Sequence, residues 1–221
     1  MKIGKMKFEA NLDYQERAIS AITDLFKGQE ICQTNFTVTP VDQGGQTKWV
    51  DQSSGVGNWL KLLPEDMLAN LHEVQTRNGL RLSPELGGLN FTVDMETGTG
   101  KGYILLRSAL ELNKLYGFTK FLVVVPSLAI KEGTMATLMA TQEHFRSIYD
   151  NVPYNFCEYS SKNLSDVHTF ATSNCIEFMV INIQAFNKKD IAVIHQHRDS
   201  MMGDKPIDLI AQTDPIVFID E

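Results

Sequence analysis

Two glycines and a lysine in the run METGTGKG, residues 95 to 102, have the types and spacing to hold an anion. Gly98 and Gly100 let the backbone wrap so that successive N–H groups face one point, where phosphate oxygens can sit. Thr97 and Thr99 complete the loop between them. Lys101 adds a point charge that can reach the outer phosphates of a nucleoside triphosphate. A helix beginning at the same place would aim its dipole and its first N–H groups at the same anion. Two positions depart from the general pattern G-x-x-x-x-G-K-[ST]. Met95 stands where Gly is usual, and Gly102 stands where a Ser or Thr hydroxyl would ligate Mg²⁺. Magnesium keeps waters readily, and one of them can take that coordination place. The pattern therefore predicts nucleotide binding more firmly than hydrolysis. The alternative is a glycine-rich turn with an incidental lysine.

A second group of chemically able residues is PIVFIDE, residues 215 to 221. Four apolar residues are expected to bury a strand, and Asp220 and Glu221 emerge at its tip. Asp220 is placed to hold Mg²⁺, and Glu221 to polarise an attacking water as general base. By itself this is a strand end with two solvated carboxylates. Its meaning comes from the glycine loop.

Those side chains need elements to position them. NLDYQERAISAITDLFKGQ predicts a helix from about 14 to 27, with Asp13 and Glu16 as a capping pair and Ala18, Ile19, Ile22, Leu25 and Phe26 on one face. NFTVTPVDQGGQTKWV reads as strand, Gly-Gly turn and strand, and DQSSGVGNW as loop. A helix opens at Pro64 and closes near Gly79. LNFTVDM, residues 89 to 95, predicts a strand leading into the glycine loop. The helix KGYILLRSALELNKLYGF follows, with Ile104, Leu105, Ala109, Leu112 and Tyr116 inward and Gly117 as terminator.

The apolar runs KFLVVVP and IEFMVINI predict strands buried on both faces. Between them fall the helix TMATLMATQEHFRSIYD, the strand YNFCEYS and a short helix capped by Ser165. KPIDLIAQ predicts a last helix before the acidic strand. Strands alternating with helices predict an α/β fold with a mostly parallel sheet flanked by helices. We divide the chain into residues 1–88, a helix plus a small α+β decoration, and residues 89–221, the nucleotide-binding core. The acidic strand tip at the very end reads as a chain cut within a larger protein, because such tips are where ligands sit.

The bulk numbers narrow the field. The 221 residues are 43% hydrophobic and 21% charged, ordinary for a soluble domain. No run is long and apolar enough for a membrane span, and the N-terminus lacks the apolar centre of a signal peptide. Cys32, Cys157 and Cys175 are widely spaced, which fits a reduced cytoplasmic protein and no zinc site. The net charge of −7 argues mildly against a free-standing nucleic-acid binder.

The quoted motifs resemble a family. LDYQERAI, METGTGK, VVVPSLAIKEG and FIDE occur in the order of the Q-type, first, Ia and second motifs of superfamily-two helicases. The longer run from Asn90 to Gly133, with INIQAFNK and PIVFIDE, is similar to the restriction (Res) subunit of type III restriction–modification systems. That resemblance implies a RecA-like P-loop ATPase domain of a DNA-dependent motor, using ATP and Mg²⁺. It implies double-stranded DNA and a modification (methyltransferase) subunit as partners. A second RecA-like domain and a nuclease domain would lie outside these residues.

Carried over residue by residue, Gln15 matches the adenine-reading glutamine. Residues 97–101 match the phosphate loop, with Lys101 catalytic. Asp220 and Glu221 match the acidic pair, and Pro126, Ser127 and Lys131 the DNA-backbone segment. Gly102 departs from the family's Thr, which keeps open an alternative: a catalytically impaired nucleotide-binding or protein-interaction remnant. The scattered His144, His168, His195 and His197 show no metal-ligand spacing. Met135 and Met139 are expected in the core. Lys188 and Lys189 are placed to face a phosphate backbone.

Overall fold

The computed structural model describes residues 12–38, 53–187, 192–196 and 205–220. They group into two compact units. The first contains the described residues up to Ile31, then Leu60–Tyr116 and Ala140–Asn151. The second contains Cys32–Trp59, Gly117–Met139 and the described residues from Val152 onward.

In the first unit, α1 (Asp13–Thr23) runs into a 3₁₀ turn (Asp24–Phe26). Its buried stripe is Gln15, Ile19, Thr23 and Leu25, so two polar residues join the apolar face. The helix begins one residue earlier than a capping Asp13 requires. Leu12 is the N-cap and makes no side-chain cap. Helix α2 (Pro64–Arg77) starts on its proline and ends before Gly79, whose φ of +67° suits glycine. Asn70, buried on α2, donates to the carbonyls of Leu25 and Lys27 and fixes the turn after α1.

Helix α3 (Lys101–Tyr116) begins on the lysine of the glycine loop. Leu106, fully buried, replaces Leu105 on the inner face, and Gly117 terminates the helix at φ +76°. Tyr103 on α3 meets His144 and packs at 4.9 Å on the Phe145 ring, while the Tyr149 hydroxyl donates to Glu111.

The second unit is built on a four-stranded parallel sheet in the order β4-β5-β3-β6, formed by β3 (Lys120–Val125), β4 (Tyr154–Glu158), β5 (Ile176–Asn182) and β6 (Ile216–Ile219). The central strands β3 and β5 are buried at every residue, as their continuous apolar runs require. Leu122, Val124, Met179 and Ile181 pack with Val167 and Phe170 of α5 (Ser165–Thr172) and with Leu209 and Ile210 of α6 (Pro206–Gln212). Phe121 stacks on Phe178 at 5.3 Å. The fold is the expected α/β class.

A polar pair locks this sheet. Lys120 is fully buried, and its ammonium donates to the carbonyls of Phe170 and Ser173, each at 2.6 Å. It thereby caps the C-terminal end of α5, where orphan carbonyls and the negative dipole end favour a cation. Asn58 is equally committed. Its side-chain N–H groups donate to the carbonyls of Lys120 and Asp214, and its Oδ1 accepts from the amides of Thr119 and Lys120.

Asn58 ends β2 (Ser53–Asn58), which pairs antiparallel with β1 (Gln33–Val38). Within the loop expected at DQSSGVGNW, Ser53–Asn58 is therefore a strand. Its glycines hid it: a Cβ on Gly55 would collide with the Phe36 ring, and one on Gly57 would lie 2.9 Å from the Thr213 carbonyl oxygen. Glycine within a strand marks such close approaches. The Gly-Gly turn and the strand expected around residues 46–50 lie outside the described residues.

Other expectations need correction. Residues 89–95 are not a strand; Leu89 and Val93 are exposed, and no described strand pairs with the segment. A parallel strand exists through its ladder partner and not through propensity alone. Helix α4 (Leu128–Ile148) starts well before Thr134. Met139 on it is 60% exposed and is not core. Helix α5 has Leu164 as N-cap, and the Ser165 hydroxyl donates to Asn163 instead. Strand β6 is an edge strand with Val217 and Ile219 exposed, so its four apolar residues do not all bury it.

Candidate functional site

Within the first unit, the loop before α3 turns on two glycines in the left-handed region, Gly98 at φ +83° and Gly100 at φ +86°. The Thr99 hydroxyl donates to the Glu96 carbonyl at 2.7 Å and closes the loop on itself. The first intrahelical bond of α3 runs from the Ile104 amide to the Gly100 carbonyl. The amides of Lys101, Gly102 and Tyr103 therefore precede it and stand at the positive end of the helix. Thr97, Gly98, Gly100, Lys101 and Gly102 are exposed, and a Cβ built on Gly98 meets open space. This is an accessible glycine turn with the first amides of a helix and a lysine beside it.

Gln15 reaches this loop from α1. It is 6% exposed, and its Nε2 donates to the Thr99 carbonyl at 3.2 Å and to the Tyr14 hydroxyl at 3.3 Å. Its Oε1 is buried and accepts no hydrogen bond. Burying an amide oxygen without a donor costs about 1–3 kcal/mol, so this atom is open to a donor from outside the chain, a water or a ligand. Gly100 is needed twice, once for its φ and once because a Cβ would stand 3.1 Å from the Gln15 Nε2. A cleft of about 960 Å³ opens beside them, reaching from Tyr14 and Thr99 past Glu96 to Phe91, Leu86 and Val74.

Within the second unit, the Asp220 amide donates to the Val124 carbonyl at 3.0 Å, which extends the β3–β6 ladder by one step. Asp220 is thus fixed at the carboxyl end of β6 and is half-buried. Glu221 lies outside the described residues. The Ser127 hydroxyl accepts from the Ile130 amide and caps α4 directly after β3, with exposed Pro126 preceding it. Lys131, one turn into α4, lies 3.3 Å from the Glu158 carboxylate. It lines a cavity of about 490 Å³ with Ser160, Ser161, Asn182 and Gln184.

A family model described as "Type III restriction enzyme, res subunit" matches residues 10–221. The chain belongs to this family. It is 27% identical to the EcoPI Res subunit of Escherichia phage P1, over 97% of this chain and 23% of that protein. It is 31% identical to the EcoP15I Res subunit of Escherichia coli, over 73% of this chain and 19% of the relative. The StyLTI Res subunit of Salmonella typhimurium is also 31% identical, over 60% of this chain and 15% of its own length. The chain thus spans about a fifth of the length of the Res subunits it matches.

Against this Res background, the structure brings Gln15, Thr99 and Gly100 into contact in one unit. It sets Asp220 at the end of β6, and Pro126, Ser127 and Lys131 in the turn and first helical turn after β3, in the other. Sequence reasoning missed Glu158 and Asn58. The half-exposed carboxylate at the end of YNFCE carried no local signal, and Asn58 looked like a loop residue. Among the described residues no group of three or more His, Cys, Asp or Glu side chains is placed to hold a metal ion. His195 contacts the Phe186 carbonyl, and His144 meets the Tyr103 hydroxyl. Lys188, Lys189 and His197 lie outside the described residues. Burial pushes the Cys157 thiol up to about 12, so it is no nucleophile at neutral pH. No helix among the described residues is long and apolar enough to cross a membrane.

Proposed function

We propose that this chain is the ATP-binding half of a DNA-dependent ATPase motor within a type III Res subunit. The observation that carries this reading is Gln15: a buried glutamine tied to the phosphate-type loop through the Thr99 carbonyl, with an acceptor left for an incoming donor. Adenine presents such a donor in its amino group, and guanine presents a carbonyl at the same position. The base would enter at the Tyr14–Thr99 end of the cleft, and the triphosphate would lie over Gly98 and Gly100.

The residues divide the work. The loop amides and Lys101 bind and orient the outer phosphates. Asp220 would hold Mg²⁺ together with waters, since Gly102 has no ligand to offer. When bound, the metal would neutralise charge on the triphosphate. Glu221 accepts a proton from the attacking water. As the water oxygen adds to the γ-phosphorus, the bond to the bridging oxygen breaks and ADP and phosphate leave. Pro126, Ser127 and Lys131 face the DNA backbone. Double-stranded DNA, a modification subunit, and second RecA-like and nuclease domains complete the motor, in the cytoplasm. Residues 1–88 act as the Q-type helix and decoration, and 89–221 as the core.

Gly102 favours one second reading, a nucleotide-binding remnant that does not hydrolyse. ATP binding and turnover by wild type and Gly102→Thr, with and without duplex DNA, separate the two. The motor reading expects binding in both and faster, DNA-stimulated hydrolysis in Gly102→Thr. Without the second RecA-like domain this chain alone turns over ATP slowly at best, so binding with no turnover in either favours a domain awaiting its partner or the remnant. Failure of both to bind ATP overturns the proposal.

A further inference from the structure

The ion pair between Lys131 and Glu158 is unequal. The Lys131 side chain is 14% exposed, while the Glu158 side chain is 51% exposed. Lys131 therefore has a buried stem and an ammonium held in place. Glu158 is the last residue of the edge strand β4, paired with Val180, and its carboxylate can turn into water. Lys131 is also the only charged side chain among the described residues that line the 490 Å³ cavity; the polar lining is otherwise hydroxyl and amide. Among the described residues, the one cation that would attract a phosphate into this cavity is occupied by a carboxylate that can leave.

We propose that Glu158 gates Lys131: its carboxylate holds the ammonium in the free protein, and a backbone phosphate of duplex DNA must displace it. This rests on the reading of Lys131 as a DNA-backbone contact and adds the residue that sets its affinity. Exchanging a carboxylate for a phosphate on one cation changes the net charge contact little. The lysine then adds almost nothing to random encounters, and it contributes when other contacts bring a phosphate into register. On a body of net charge −7, such a gate keeps non-specific binding low.

The test is fluorescence anisotropy of a labelled duplex oligonucleotide titrated with wild type, Glu158→Gln, Lys131→Ala and the double variant at several salt concentrations. Thermal melts check folding, and Glu158→Asp and Lys131→Arg serve as conservative controls. The gate predicts that Glu158→Gln binds about two- to fivefold tighter at low salt, the range of a half-exposed ion pair. Its slope of log affinity against log salt steepens by about one, the value for one added phosphate contact. Lys131→Ala weakens binding, and Glu158→Gln has no further effect on that background. A gain from Glu158→Gln that survives without Lys131, or that leaves the salt slope unchanged, shows a general charge effect and overturns the gate. No gain, with Lys131→Ala still weakening binding, overturns the gate and leaves the DNA contact standing. If a folded Lys131→Ala binds like wild type, the contact itself fails, and the gate with it.

Discussion

Gln15 puts two demands on one amide. Its nitrogen holds the Thr99 carbonyl, and its buried oxygen accepts no hydrogen bond. Gln15→Ala should weaken ATP binding about tenfold and remove preference for ATP over GTP, read by competition against a fluorescent nucleotide; one lost hydrogen bond in a buried site is worth about 1–1.5 kcal/mol. Unchanged selectivity would contradict the adenine role. Gly100→Ala should cost more than that, since the left-handed φ of +86° and the 3.1 Å approach to Gln15 both oppose a side chain. The signal for this pair was visible in LDYQ and GTGK, because both are local patterns. What joins them is a side chain reaching a distant carbonyl, and no local pattern encodes that.

Lys120 makes a residue-scale prediction about pH. Burial lowers its pKa from the ordinary 10.5 to about 8, against a partly opposing pull from Glu177. Between those values the unfolded chain binds more protons than the folded one, so this group's contribution to stability rises with pH. Relative to Lys120→Met, wild type should gain up to about 3 kcal/mol from pH 8 to 10.5, at about 1.4 kcal/mol per pKa unit. Urea denaturation across that range measures it, and a constant difference would contradict it.

At the scale of elements, β3 and β5 were legible because apolar runs of that length must be buried on both faces. Helix α3 was legible from its spacing and from Gly117. Strand β2 was not, since its identity comes from Phe36 and Thr213 lying where its glycines have no side chain. Residues 89–95 had a strand's composition but no ladder partner among the described strands. The hairpin is held by Asn58, which satisfies four backbone groups at once. Asn58→Ala should therefore destabilise the protein by about 3 kcal/mol or more, because buried amides and carbonyls lose their partners together. A loss below about 1 kcal/mol in chemical denaturation would show that the hairpin is held otherwise.

For the whole molecule, the glycine loop and Gln15 belong to one compact unit and Asp220 to the other. In the proposed motor Lys101 binds the triphosphate and Asp220 holds its Mg²⁺. The most direct measurement is ATP affinity, with excess Mg²⁺ and with EDTA, for wild type, Lys101→Ala, Asp220→Asn and the double variant. We expect Lys101→Ala to weaken both forms of ATP. Asp220→Asn should abolish the gain from Mg²⁺ and leave metal-free binding unchanged, with the two substitutions non-additive in Mg²⁺. If Asp220→Asn retains the full Mg²⁺ gain, the carboxylate and the loop do not share a ligand, and the motor reading of this chain fails.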